Sequence, residues 1–314
     1  GEVDMQPSVI AHCDWSIDAR KRWMTVALNR AGHFELMAPE PVGDTASLME
    51  RLQARAPGEG PLLLGFDFPI GLPQAYALKT GLTSFRAFLD GLGTDIWADW
   101  FRVAASAGEI GLTRPFYPAR PGGTRRSHLF EALGIEPAHL LRLCERPAPG
   151  RQTPALLFWT LGGNQVGKAA ITGWREVILP NRDRIGLWPF DGFLFDLLQR
   201  HAVVVTETYP GDAYGQIGIP RRPVWSKRRQ EGRFSVSNHL RRWLAAHAMV
   251  RADIALVESI NAGFGADAAG EDRFDCTVGL MAMIDIVLGL RGEGAPLDPS
   301  VMTWEGWILG RPAL

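Results

Sequence analysis

The chain has 314 residues, of which 46% are hydrophobic and 21% are charged, and its formal net charge is −1. These values are those of an ordinary globular protein with a sizeable core, and they argue against a protein that coats nucleic acid with its whole surface. No apolar run reaches the roughly 20 residues that a membrane span needs, and the three cysteines lack the spacing of a zinc site or a disulfide framework.

The first third of the chain predicts a β-meander, a helix and a buried strand. Apolar, β-branched runs predict strands at 8–16, 22–29 and 33–37. A helix is expected at about 45–54, and the continuous apolar run at 61–68 is typical of a central parallel strand. Three antiparallel strands, a helix and a parallel strand are the order in which an RNase H-like fold begins. We therefore predict an α/β protein with a mixed five-stranded RNase H-like sheet and flanking helices.

The middle of the chain interrupts this order. Residues 73–199 are rich in Pro, Gly and Trp and have an irregular, mostly helical pattern. We interpret this stretch as a large insertion or cap packed on a core formed by residues 5–72 and 200–314. The fifth strand is expected at 202–208, followed by a basic helix at about 236–247 and a last helix at about 272–290.

Acidic residues stand where the predicted elements end or begin. Asp14 closes the first strand, Asp67 the fourth and Glu207 the fifth, and Asp275, with Asp272 three residues earlier, opens the last helix. Parallel strands bring such residues to one edge of a sheet, where α/β proteins bind ligands. Converging carboxylates repel each other unless a cation neutralises them. We predict that these five acids bind Mg²⁺ or Mn²⁺, which would activate a water for phosphodiester hydrolysis.

Simpler structural roles remain open for most of these acids. Asp67 can cap the loop that follows it, Glu207 can pair with an arginine, and Asp272 can be the N-cap of the last helix. Asp14 is the hardest to explain structurally, because apolar residues flank it in the strand.

A basic stretch follows the fifth strand. Residues 221–251 contain nine Arg or Lys residues and one acid, Glu231, so that nine minus one leaves a local excess of +8. A solvated helix face and a phosphate-binding patch are both consistent with it. The candidate contacts to the phosphates of a nucleic acid lie around Trp225 and are Arg221, Arg222, Lys227 and Arg228.

Several motifs resemble those of one family. Asp14 together with the segment from Gly65 to Pro73 (GFDFPIGLP) resembles the domain-of-unknown-function 429 family, to which an RNase H-like fold is assigned. Further matches are the motifs that begin at Glu207 (ETYP), Asp272 (DRFD) and Glu305 (EGWI). The resemblance implies metal-binding acids at Asp14, Asp67, Glu207 and Asp275. The spacing of Asp272 and Asp275 is also similar to that in Holliday-junction resolvases, a nuclease branch of the same fold.

This chain departs from the family pattern at the first strand, where relatives often carry a glycine-rich D-G-C-x-x-G-W segment. Here Asp14 is followed by Trp-Ser-Ile-Asp, so the match at that strand depends on Asp14 and its position.

Two other functions remain open at this point. Residues 162–168 satisfy the pattern G-x-x-x-x-G-K of a nucleotide- or phosphate-handling enzyme, but Ala169 stands where a P-loop needs Ser or Thr. A non-catalytic scaffold of the same fold is the second alternative, and the full set of acids argues against it. The first residues lack the pattern of a signal peptide, so we expect a cytoplasmic protein without membrane contact.

Overall fold

The structure is a computed structural model that describes residues 6–149, 155–162 and 165–313. Its strands are β1 (Val9–Asp14), β2 (Trp23–Arg30), β3 (His33–Leu36), β4 (Glu40–Pro41), β5 (Leu62–Phe66), β6 (Ile185–Leu187), β7 (Val203–Glu207) and β8 (Val250–Ala252). Its α-helices are α1 (Leu48–Gln53), α2 (Gln74–Lys79), α3 (Phe85–Gly91), α4 (Ser127–Leu133), α5 (Val166–Gly173), α6 (Leu179–Asn181), α7 (Leu194–Arg200), α8 (Pro210–Gln216), α9 (Gln230–Ser235), α10 (Ser237–Ala246), α11 (Ile254–Asn261) and α12 (Gly270–Val287).

The strands of the described residues form one eight-stranded sheet in the order β6-β7-β5-β1-β2-β3-β8, with β4 paired to β2. Strand β2 is antiparallel to its neighbours, whereas β1, β5, β7 and β6 are parallel to one another. The chain is therefore an α/β protein with a mixed, mostly parallel sheet and flanking helices. The prediction of five strands was wrong in number, because β4, β6 and β8 are only two or three residues long and leave no periodic pattern in the sequence.

The alternation of side chains along the central strands divides the core into two layers. Val9, Ala11 and Cys13 of β1 face the layer that contains α1 and most of the buried residues of 73–199. Ile10 faces the opposite layer, to which α12 contributes most of its length. Successive residues of a strand point to opposite faces, so alternate residues contact the same layer.

Residues 73–199 are built into the molecule in two ways. Most of their buried side chains form one continuous hydrophobic core with one face of the sheet, whereas Trp188 and the buried leucines of α7 lie in the layer on the other face. They also contain β6, which pairs in parallel with β7 and so adds an edge strand to the sheet. In the described part of the chain, no helix has both the length and the apolar character that crossing a bilayer requires.

Helix α12 crosses β1 at a position that only glycine fits. A Cβ atom on Gly279 would lie 2.3 to 2.5 Å from three atoms of the His12 ring, which is fully buried. We expect Gly279→Ala to lower the free energy of unfolding by about 1–3 kcal/mol, because the helix must move off the strand to relieve the overlap. Urea denaturation followed by circular dichroism measures this change.

Gly215→Ala is the matched control. Gly215 lies in α8, is exposed, and has no heavy atom within 4 Å of an added Cβ. The free energy of unfolding should stay unchanged or rise by up to about 1 kcal/mol, because alanine favours a helix more than glycine does. A loss of similar size in both variants would contradict the packing argument.

Candidate functional site

Four aspartates come together where β1, β5 and α12 meet. Asp14 is the last residue of β1, and Asp67 directly follows the neighbouring parallel strand β5. Asp272 and Asp275 lie in the first two turns of α12, which packs against β1. The carboxyl group of Asp14 is in hydrogen-bond contact with Asp67 and Asp272 and close to the charge of Asp275. We call these four residues the aspartate cluster.

Burial and mutual repulsion make full ionisation of the cluster unfavourable. Burial, followed by the charges of Asp275 and Asp67, raises the pKa of Asp14 well above its usual range. Burial and the charge of Asp275 raise the pKa of Asp67 to about 7. Burial also raises the pKa of Asp272 and Asp275. The side-chain contact with Asp14 lowers the pKa of Asp67 and of Asp272, whereas the contact with Asp272 raises the pKa of Asp14 further.

Two side chains from outside the cluster bind Asp275. The ammonium of Lys227 lies 2.9 Å from Asp275 Oδ2, and the hydroxyl of Tyr214 donates to Asp275 Oδ1. Both contacts favour the ionised form of Asp275, although its burial raises the pKa. Tyr214 itself is positioned by α8 and by ring contacts with Phe274 and Trp225.

Glu207 lies apart from the aspartate cluster, which corrects the prediction that it completes the metal site. The pairing of Cys13 with Phe66 and of Phe66 with Glu207 puts Glu207 one residue before the level of Asp14. Glu207 is on the same side of β7 as Val203 and Val205, whose side chains face the layer that contains α1. The side chain therefore points to the opposite face of the sheet from Asp14.

The guanidinium of Arg142 donates hydrogen bonds to both carboxylate oxygens of Glu207. Its Nη1 lies 2.7 Å from Oε1 and its Nη2 lies 2.8 Å from Oε2, a two-pronged ion pair that is almost fully buried. Glu207 Oε1 also accepts from the amide of Ile70 at 2.8 Å. Arg142 reaches further, with Nε at 2.9 Å from Glu145 Oε1 and Nη1 at 3.1 Å from the carbonyl oxygen of Glu305. Of the structural alternatives open to Glu207, pairing with an arginine is the one the structure contains.

The motifs that begin at Gly65 and at Glu305 have a structural function at this junction. Glu305 accepts from the amides of Gln74 and Leu143, at 2.8 and 2.6 Å. A Cβ on Gly71 would lie 2.1 Å from the carbonyl oxygen of Glu305, and a Cβ on Gly306 would lie 2.4 Å from that of Ile70. Both glycines have positive φ angles, of 137° and 69°. The loop after Asp67 is thus held against the end of the chain by backbone contact.

The predicted phosphate-binding residues separate into two groups. Arg221, Arg222 and Arg228 are exposed. Lys227 differs from the expectation, since its ammonium turns inward to Asp275 and lies 3.6 Å from Glu271 Oε1. Trp225 is half-buried and donates to the carbonyl of Pro220, with its ring edge against Tyr214 and Phe274.

The P-loop-like segment does not have the setting of a nucleotide site. Two of its residues, 163 and 164, lie outside the described residues. Helix α5 begins at Val166, and among the described residues before it Trp159 forms an isolated bridge with Tyr117. A working P-loop connects a strand to a helix, and the described flanks of this segment lack the strand.

Sequence reasoning missed two residues of the site and its support, Tyr214 and Arg142. His12 lies beneath the cluster, with Nε2 2.7 Å from Thr208 Oγ1, and burial lowers its pKa to about 3. It is therefore neutral and adds no charge to the cluster. Its proximity to Asp14 in the sequence was a usable signal for burial, whereas nothing local marks Tyr214 or Arg142.

The aspartate cluster suits a divalent cation in donor type and charge. Its oxygen ligands are those that Mg²⁺ and Mn²⁺ prefer. Four aspartates and the nearby Glu271 outnumber Lys227, the cation in contact with them. As they stand, no three His, Cys, Asp or Glu side chains of the described ranges are grouped so as to hold a metal ion. The Lys227 ammonium, paired with Asp275, offsets part of this charge.

Sheet and cluster together define an α/β protein with a mixed, mostly parallel sheet that gathers aspartates at the carboxyl ends of two central strands. No family model matched the chain, and searches of curated proteins and of solved structures found no match either.

Proposed function

We propose that the chain is a metal-dependent phosphodiester hydrolase of the RNase H-like superfamily, acting on nucleic acid or a nucleotide-like phosphodiester. The observation that carries this proposal is the convergence of Asp14, Asp67, Asp272 and Asp275 from three separate elements. A purely structural site gains nothing from bringing four like charges together, because each must be desolvated against the repulsion of the others.

The topology supports the same assignment. A meander of β1, β2 and β3, then α1 and the parallel strand β5, is the order in which an RNase H-like fold begins. The acids stand at the carboxyl ends of parallel strands, where α/β proteins bind ligands. Strands β6 and β8 extend this arrangement at the two edges. The similarity of the motifs to the domain-of-unknown-function 429 family points in the same direction.

The proposal assigns a separate role to each group of residues. Asp14 and Asp67, at the strand ends, and Asp275 and Asp272, on α12, would hold Mg²⁺ or Mn²⁺. The bound ion would supply an activated water and stabilise the leaving oxygen. Glu207, with Arg142, fixes the loop that carries Asp67 through the amide of Ile70. The exposed residues Arg221, Arg222 and Arg228 would position the phosphates of the substrate.

Titration with Mn²⁺ by calorimetry tests the proposal directly. We expect wild type to bind Mn²⁺ and Asp14→Asn to bind it at least about tenfold more weakly, since one charged ligand is lost. Asp183→Asn is the matched control, because Asp183 is exposed and far along the chain from the cluster. Its affinity should equal that of wild type.

Hydrolysis of single-stranded, double-stranded and branched nucleic acids and of small phosphodiesters is then assayed with Mn²⁺. Activity in wild type and the Asp183 variant, absent from Asp14→Asn, is the expected pattern. Equal Mn²⁺ binding by wild type and Asp14→Asn would show that the cluster is not a metal site and end the proposal.

A further inference from the structure

Lys227 occupies an unusual position for a residue in a basic surface stretch. Its side chain is 36% exposed, yet its ammonium is 2.9 Å from Oδ2 of Asp275, whose side chain is only 7% exposed. A second carboxylate, Glu271 Oε1, lies 3.6 Å away. The ammonium thus enters the aspartate cluster from the solvent side and is not sealed within it.

The backbone around Lys227 is held by contacts that do not involve its ammonium. Arg233, which is buried, donates from Nη1 to the carbonyl oxygen of Lys227 at 2.7 Å and from Nε to that of Gly263 at 2.8 Å. Trp225 packs edge-on against Phe274 of α12. The ammonium can therefore leave Asp275 by rotation about the four-carbon side chain while the segment keeps its place.

The charges explain why a lysine stands here. Without a metal ion, Asp275 would face Asp14 and Asp67 as one of several like charges with nothing to offset them. A single ammonium offsets one carboxylate. A divalent cation offsets two, and the carboxylate oxygen that Lys227 contacts is among those such an ion would need.

We propose that Lys227 is the built-in counter-ion of the aspartate cluster, holding Asp275 while no metal ion is bound and giving way when a divalent cation enters. The inference rests on the proposed function and adds a regulatory step to it, since metal binding must displace the ammonium. The released side chain would then join the exposed arginines of the same segment on the side where the phosphates of a substrate arrive.

Lys227→Met keeps the length of the side chain and removes the competing charge. We expect it to bind Mn²⁺ at least about tenfold more tightly than wild type by calorimetry, because the variant lacks the charge that competes with the ion for Asp275. Arg229→Met is the matched control. It removes the same charge from an exposed residue two positions away and should leave the affinity near that of wild type.

Denaturation in the presence of a chelator gives a second, independent measurement. The metal-free Lys227→Met protein should be less stable than wild type, because the cluster has lost its counter-ion, and Mn²⁺ should stabilise it more than it stabilises wild type. A Lys227→Met protein that folds only with Mn²⁺ would support the proposal in the same way.

The outcomes separate this inference from the function on which it rests. If Lys227→Met binds Mn²⁺ more tightly than wild type does, or binds it when wild type does not, the result supports both the metal site and the counter-ion role of Lys227. Binding by wild type with equal or weaker binding by Lys227→Met overturns the counter-ion proposal and leaves the metal site intact. Binding by neither protein overturns both.

Discussion

Replacing Arg142 by alanine is expected to lower the free energy of unfolding by about 3–5 kcal/mol, because it leaves buried carboxylates without their cation. The guanidinium bonds both oxygens of Glu207 and one oxygen of Glu145, and both acids are buried. It also bonds the carbonyl oxygens of Ile70 and Glu305, which join the loop after Asp67 to the end of the chain. Urea denaturation at neutral pH measures the loss.

Arg184→Ala is the control for this variant. Arg184 pairs with Glu50 at 2.8 Å, but their side chains are 43% and 55% exposed, so removing it should cost less than about 1 kcal/mol. Adding Glu207→Gln to Arg142→Ala should restore part of the stability, because the unpaired buried charge is then gone. A loss in Arg142→Ala no larger than that in Arg184→Ala would contradict the account of the junction.

The metal-free protein is expected to lose stability as the pH rises from about 4 to about 7. Burial and the charge of Asp275 raise the pKa of Asp67 to about 7 in the folded protein, against about 3.9 in an unfolded chain. Between these values the folded state binds more protons than the unfolded state, so the free energy of unfolding falls with increasing pH. The contribution of Asp67 is complete below the lower pKa and lost above the higher one. It is on the order of 4 kcal/mol.

Asp67→Asn isolates this contribution. In the presence of a chelator, the variant and wild type should have similar stability near pH 4, and the variant should become progressively more stable than wild type up to about pH 7. Denaturation curves at several pH values measure the difference between the two proteins. A difference that stays constant from pH 4 to pH 8 would mean that Asp67 does not carry a raised pKa in the fold.

The two effects have one origin, because the same sheet edge carries acids in two different environments. Glu207 is stabilised by a buried arginine, and losing that partner is costly. Asp67 is buried beside the charge of Asp275, and its ionisation is costly. The ion pair of Glu207 stabilises the fold, whereas the aspartate cluster contains unfavourable charge repulsion that a bound cation would reduce.

The sequence by itself determined the main elements and the candidate acids. Apolar, β-branched runs located β1, β2, β3, β5 and β7 within one or two residues, because the burial of a strand requires such runs whatever surrounds it. The prediction that Asp14, Asp67, Asp272 and Asp275 lie together followed from parallel strands ending at one edge, and the structure brings these four residues together.

Only the tertiary structure decided where Glu207 and Lys227 point. Glu207 ends its strand as Asp14 does, but the strand register shifts it by one residue and so turns it to the opposite face, where Arg142 from a distant helical segment meets it. Lys227 looks like a surface cation in the sequence, and only the fold of its segment over α12 turns it toward Asp275. The periodicity of a sequence indicates whether a residue is buried. Strand register and long-range packing decide which partner the residue contacts.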